Sequence, residues 1–134
     1  MFSHVTLGTN DLARAAAFYD ALLAPLGLER ADPENEDGLP DGVGWVVPGT
    51  RTPAFYAHET FDGEPASAGN GTMAAFLAPS PAAVDEAHAA AMAAGGTDEG
   101  APGERPHYGA GYYGAYLRDP DGNKVHVVHR GDIR

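Results

Sequence analysis

The stretch His4-Val5-Thr6-Leu7-Gly8-Thr9-Asn10-Asp11-Leu12-Ala13-Arg14-Ala15-Ala16-Ala17-Phe18-Tyr19 decides the fold, because its pattern begins again in the second half of the chain. From Phe2 to Gly8, Val5 and Leu7 point one way and His4 and Thr6 the other, the alternation of a short strand. Asn10 is the expected N-cap of a following helix, with Asp11 in the first turn, where a carboxylate suits the positive end of the dipole. Leu12, Ala15, Ala16, Tyr19, Leu22 and Leu23 recur at helical spacing, and Pro25 and Gly27 end the helix.

At an offset of about 69 residues the pattern restarts, with His4 falling on Met73, Val5 on Ala74, Leu7 on Phe76 and Asp11 on Ser80. Thr72 to Ala78 reads as an apolar strand. Ser80-Pro81 supplies an N-cap and a proline at the first helical position. Val84, Ala87, Ala91, Met92 and Ala94 line one face of the second helix, which Gly95-Gly96 stops.

The connecting segments complete the units. Glu29 to Asp41 holds six acids against one Arg30 and is expected to be a solvated loop. Gly42 to Val47 and Pro53 to His58 read as strands; Phe61 to Gly71, without period and rich in Gly, Pro and Ser, reads as a linker. Gly111 to Arg118 and Asn123 to His129 are strands joined by the turn Asp119-Pro120-Asp121-Gly122. Each half is a strand, a helix and two or three strands. The expected class is α+β, one domain over residues 1–134 built from two tandem βαβββ units. Unit one covers about residues 1–60, the linker about 61–71 and unit two about 72–130.

Composition narrows the function. Acids outnumber bases 19 to 8, a net charge of −11, which repels phosphate backbones and anionic lipid and argues against nucleic-acid and membrane partners. The same charge attracts a cationic ligand. Cysteine is absent, which excludes disulfides, thiolate metal sites and a catalytic thiol. The 18 glycines and 11 prolines fall between apolar runs and so punctuate structure instead of signalling disorder. No apolar run reaches the length of a transmembrane helix, and Met1 to Val5 lacks the marks of a signal peptide. The expected compartment is the cytoplasm.

The duplicated units, His4-Val5-Thr6-Leu7 before Ala17-Phe18-Tyr19, and the run Gly111-Tyr112-Tyr113-Gly114-Ala115-Tyr116-Leu117-Arg118-Asp119-Pro120-Asp121-Gly122-Asn123 resemble the vicinal oxygen chelate superfamily. That superfamily contains glyoxalases, bleomycin-resistance proteins and extradiol dioxygenases. The resemblance implies half-open sheets curled around a concave pocket, helices outside, and a homodimer. It also implies metal-ligand positions on the first and last strands of each unit. In this chain those positions fall on His4, Met73, His126, and Tyr56 or His58.

His4 and His126 are the candidate metal ligands and the candidate catalytic pair, with a third ligand sought among Tyr56, His58 and His107. The cofactor implied is a divalent transition metal, zinc, iron or copper, and otherwise none. Two imidazoles suit such ions, whereas the thioether of Met73 does not suit the harder cations. Without metal, the two histidines are a candidate acid and base. Tyr56, Met73, His107, Tyr108 and Trp45 are the candidate ligand-binding residues. Met73 also reads as plain pocket lining, and Trp45 either packs the sheet or rims the pocket. Arg105 to Gly111 reads as a Gly-flanked loop able to cover a pocket.

Two functions follow. One is a glyoxalase-like lyase, isomerase or dioxygenase acting on a small oxygenated substrate, with a degenerate metal site. The other is a metal-free protein that binds a drug or metabolite, as bleomycin-resistance proteins do.

Overall fold

A computed structural model describes residues 1–133. Unit one runs β1 (His4–Gly8), α1 (Leu12–Leu23), a 3-10 turn (Ala24–Leu26), β2 (Glu29–Arg30), β3 (Gly42–Val46) and β4 (Ala54–His58). Unit two runs β5 (Met73–Leu77), α2 (Pro81–Ala93), β6 (Thr97–Glu104), a 3-10 turn (Pro106–Tyr108), β7 (Tyr112–Arg118) and β8 (Lys124–Arg130). Each unit closes its own four-stranded sheet, in the order β1-β4-β3-β2 and β5-β8-β7-β6. The first and last strands of each unit run parallel and the other pairs antiparallel. These are two tandem βαβββ units with curled, unclosed sheets.

The offset read from the sequence is the offset in space: β1 starts at His4 and β5 at Met73. Ser80 caps α2, its hydroxyl accepting from the Ala83 N–H at 3.1 Å. Asp119 to Gly122 turns as expected, with the Gly122 N–H donating to the Asp119 carbonyl at 2.9 Å.

Two expectations are corrected, and one strand is added that the sequence did not show. The cap of α1 is Asp11, which accepts from the Arg14 N–H at 3.0 Å. Asn10 instead uses its side chain on Ala66, donating to its carbonyl at 3.1 Å and accepting from its N–H at 2.7 Å. Inside the acidic run, Glu29–Arg30 forms the short edge strand β2. In unit two, Thr97–Glu104 is a full strand although glycine, proline and acid interrupt any alternation; two register shifts against β7 absorb them.

Both helices lie against one face of the sheets and against each other, closing a single core cluster. Phe18, Tyr19, Leu22 and Leu23 of α1 and Val84, Ala87 and Ala91 of α2 are buried on Trp45, Phe55, Leu117, Val125 and Val127. Burying each large apolar side chain contributes about 1.5–3 kcal/mol, so this face holds the units together. The opposite, concave face is left to polar and aromatic side chains.

Beside this apolar contact, the Asp119–Asn123 turn makes a polar seam between the units. Thr9 Oγ1 donates to Asp121 at 2.6 Å, the Asn10 N–H donates to it at 2.9 Å, and Arg14 pairs with it at 2.8 Å. Asn123 donates to the Gly8 carbonyl at 2.9 Å.

Candidate functional site

Strand register identifies the concave face. On β1 and β4, Thr6 lies opposite Tyr56; on β5 and β8, Ala75 lies opposite His126. Tyr56 and His126 therefore hold equivalent places in the two units. That parity puts His4, Thr6, Tyr56 and His58 on the open face of unit one. It puts Met73, Lys124, His126, Tyr112 and Tyr116 on that of unit two. Two glycines make room for the rings. A Cβ on Gly44 would lie 2.6 Å from the Tyr56 ring, and one on Gly114 would lie 2.5 Å from His126.

His126 is 1% exposed and fully engaged. Its Nδ1 lies 2.8 Å from the Ala115 carbonyl, which can only accept, so Nδ1 carries the proton. Nε2 then accepts from the Tyr112 hydroxyl at 2.8 Å. Burial is the main cause pushing this imidazole below its ordinary value, with the Ala115 bond opposing and the Arg105 and Lys124 charges adding to the fall. The ring is neutral at pH 7. Tyr116 stacks on it at 4.0 Å and 9°, and Tyr112 at 5.8 Å and 17°.

The other candidate residues divide between two places. Tyr108, 5.2 Å from Tyr112, and His107, 4.1 Å from Tyr108, extend the His126 cluster along an exposed 3-10 turn. Met73 is 41% exposed at the start of β5. His4 is exposed, its ring edge-on to Tyr56 at 5.6 Å and its Nδ1 3.0 Å from Ser3 Oγ. His4 and His126 stand in different sheets with different partners, and among the described residues no ring contact joins their clusters. Trp45 faces away from the concave side: it is buried beneath α1 against Tyr19 and Phe55, and its Nε1 donates to Asp20 at 2.9 Å.

The four positions at which the resemblance places metal ligands thus hold two imidazoles, a phenol and a thioether, however the units pair. One imidazole already spends both nitrogens, and no carboxylate is present. Among the described residues no three His, Asp or Glu side chains group to hold a metal. This donor set does not fit a divalent ion.

A cavity of about 820 Å³ opens on the face of unit one, beyond Tyr56. Thr6, Gly8 and His58 form its floor. Glu34 and Glu36 from the acidic run form one wall, and Glu59, Phe61 and Asp62 the other. Among the described residues no Lys or Arg lines it. The second wall is anchored by the Asn10–Ala66 clasp and by the Glu59 N–H donating to the Asp41 carbonyl at 2.8 Å. Asp32 ties the first wall to the sheet, accepting from the Gly44 N–H at 3.1 Å; hydrogen bonding to Arg30 holds its carboxyl below the ordinary range. The sequence missed this wall because an acidic run without period carries no sign of what it folds against.

Comparison with known proteins agrees with the geometry. The family model of the glyoxalase/bleomycin resistance protein/dioxygenase superfamily matches residues 1–127. The chain is similar to a glyoxalase/bleomycin resistance protein from Albidiferax ferrireducens T118, at 42% identity and TM-score 0.80, covering 97% of this chain and 98% of that one. It is also similar to lactoylglutathione lyase from Agrobacterium tumefaciens, at 25% identity and TM-score 0.62, covering 96% and 92%. A glyoxalase-related enzyme from Fulvimarina pelagi shares the fold at 20% identity and TM-score 0.70, covering 97% and 88%. No curated protein matches the chain.

Proposed function

Because the chain belongs to the glyoxalase/bleomycin resistance protein/dioxygenase superfamily, we propose that it is a member that binds a small organic cation without a resident metal. The observation that carries this reading is the cleft of unit one, in which every ordinarily charged side chain is a carboxylate. Four carboxylates around a concave, partly apolar wall focus a negative potential into the space a ligand would fill. Phe61, 87% exposed at the rim, offers a ring face to a cation. The net charge of −11 draws such a ligand from a distance.

The experiment is calorimetric titration with a cationic glycopeptide such as bleomycin at low and high salt. The expected result is binding that weakens as salt rises and weakens again in Glu34→Gln and Glu59→Gln. Absent or salt-independent binding overturns the reading.

The Tyr112–His126 hydrogen bond favours a second reading, a metal-free enzyme. In it His126 is the base and Tyr112 carries the proton between it and a substrate on the face of unit two. Turnover of a small oxygenated substrate that survives in both Tyr112→Phe and His126→Gln removes it.

Exposed Phe2, Met73 and Leu77, beside or on the first strand of each unit, support a homodimer that covers these strands, which light scattering reads. The acidic charge supports a cytoplasmic protein with neither nucleic-acid nor membrane partners. Among the described residues no helix is long and apolar enough to cross a membrane.

A further inference from the structure

The asparagines of the chain are Asn10, Asn35, Asn70 and Asn123, and all but Asn70 have their side chains engaged. Asn10 holds Ala66 with both ends of its amide, donating at 3.1 Å and accepting at 2.7 Å. Asn123 is buried, and its amide donates to the Gly8 carbonyl and to Asp119, each at 2.9 Å. Asn35 accepts from the Gly42 N–H at 3.4 Å and is followed by the bulky Glu36. Asn70 differs from these. It is exposed, its side chain makes no hydrogen bond among the described residues, and a glycine follows it.

The turn that carries Asn70 leaves the neighbouring backbone nitrogen free. The Thr72 N–H donates to the Gly69 carbonyl at 3.2 Å, which puts Asn70 and Gly71 at the central positions of a β-turn. Gly71 has a φ of +91°, and Asn70, like every described non-glycine residue, has none in the positive range. That combination is a type II turn, whose single hydrogen bond does not use the peptide between its central residues. Among the described residues the Gly71 N–H donates to nothing in the protein. A Cβ on Gly71 would meet nothing within 4 Å, so no neighbour crowds the residue.

We infer that Asn70 is a site of spontaneous covalent modification, converting through a succinimide to isoaspartate. The Gly71 nitrogen gives its proton to hydroxide and attacks Asn70 Cγ. A new C–N bond closes the ring, and the side-chain nitrogen leaves as ammonia. Water then opens the ring. Cleavage between the ring nitrogen and the main-chain carbonyl of residue 70 gives isoaspartate, with the backbone rerouted through the side chain; cleavage at the other carbonyl gives aspartate. Either product adds a negative charge. Isoaspartate also lengthens the backbone by a methylene, and the turn has no slack for it: a Cβ on Gly69 would already meet Thr72 Oγ1 at 2.5 Å, and β5 starts at Met73. Gly69 and Thr72 line, with Gly8 and Asn123, a cavity of about 180 Å³ between the units, so the altered turn lies at their join. Neither Asn70 nor Gly71 lines the acidic cleft of unit one, so the site stands whether or not that cleft takes a cation.

The intact folded chain is aged in mildly alkaline buffer and mapped by peptide mass spectrometry, with fragmentation that separates isoaspartate from aspartate. The expected result is a gain of about one dalton confined to the peptide that holds Asn70, with isoaspartate in excess over aspartate. Asn10, Asn35 and Asn123 stay intact over the same period. Fresh Asn70→Asp supplies the charge without the extra methylene, and the isoaspartyl chain should unfold at lower urea than this variant. Absence of isoaspartate at residue 70 overturns the proposal, as does earlier conversion of any of the other asparagines. Equal urea midpoints for the isoaspartyl chain and Asn70→Asp overturn the opening of the turn.

Discussion

The hydroxyl of Tyr19, buried in the first helix, donates a 2.6 Å hydrogen bond to Asp119 in the last turn of unit two. Burial, followed by the Asp119 charge and hydrogen bond, raises this phenol well above its ordinary value, so it stays protonated and donating. Asp119 also accepts from the Asp121 and Asn123 N–H groups and from the Asn123 side chain, each at 2.9 Å. Removing the hydroxyl in Tyr19→Phe leaves a buried carboxylate short of one donor. The expected loss is about 1.5–3 kcal/mol, read by urea unfolding, without loss of ligand binding at the distant cleft.

Gly114 gives a second stability prediction. In Gly114→Ala the new methyl meets His126 at 2.5 Å and the Val127 carbonyl at 3.1 Å. His126 cannot move aside without breaking its bonds to Ala115 and Tyr112. A destabilisation of about 1–3 kcal/mol is expected, together with a change in the ring-stacking signal of near-ultraviolet circular dichroism.

His126 also sets a pH dependence. Its folded value lies below the ordinary 6.5, chiefly through burial. As pH drops through 6.5 the unfolded chain takes up a proton that the folded chain refuses, so stability falls towards the folded value. Above 6.5 this group contributes no slope. Denaturation midpoints from about pH 7 to about pH 5 should fall less steeply in His126→Gln, by at most about 1.4 kcal/mol per pH unit. An identical slope in the variant counts against the buried neutral ring.

Chelation should leave ligand binding intact. The donor set of His4, Tyr56, Met73 and His126 predicts that protein purified without an affinity tag holds no stoichiometric zinc, iron or copper by elemental analysis. Dialysis against a chelator should not change the affinity for the cationic probe. A tightly bound stoichiometric metal would overturn this.

Much of the fold was legible because its signals are local. The period-2 run at His4, the Ser80-Pro81 start and the Asp119-Pro120-Asp121-Gly122 turn each act within a few residues, and the repeat multiplied them. What escaped was held by tertiary contacts. Thr97–Glu104 is a strand because β7 supplies its ladder, since its own sequence of acids and glycines favours none. Asn10 had the chemistry of a cap, but Ala66 competes for its side chain.

The site was legible in part. Alternation alone places Tyr112, Gly114 and Tyr116 on one face and Tyr113, Ala115 and Leu117 on the other, enough to separate pocket tyrosines from the core-facing Tyr113. Register settles that Tyr56, not His58, is the counterpart of His126. Trp45 shares the parity of Val43 and so belongs with the helix side. The curling of Glu34 and Glu36 over His58 left no local trace.

Each sheet completes its hydrogen bonding within its own half of the chain. The halves are therefore free to diverge. A substitution on one concave face disturbs no ladder in the other. One duplicated scaffold has used that freedom to grow a negative hollow lined by Glu34 and Glu59 on one side. On the other, Arg105 and Lys124 lie over the Tyr116 ring, so one repeated scaffold presents two surfaces of opposite charge.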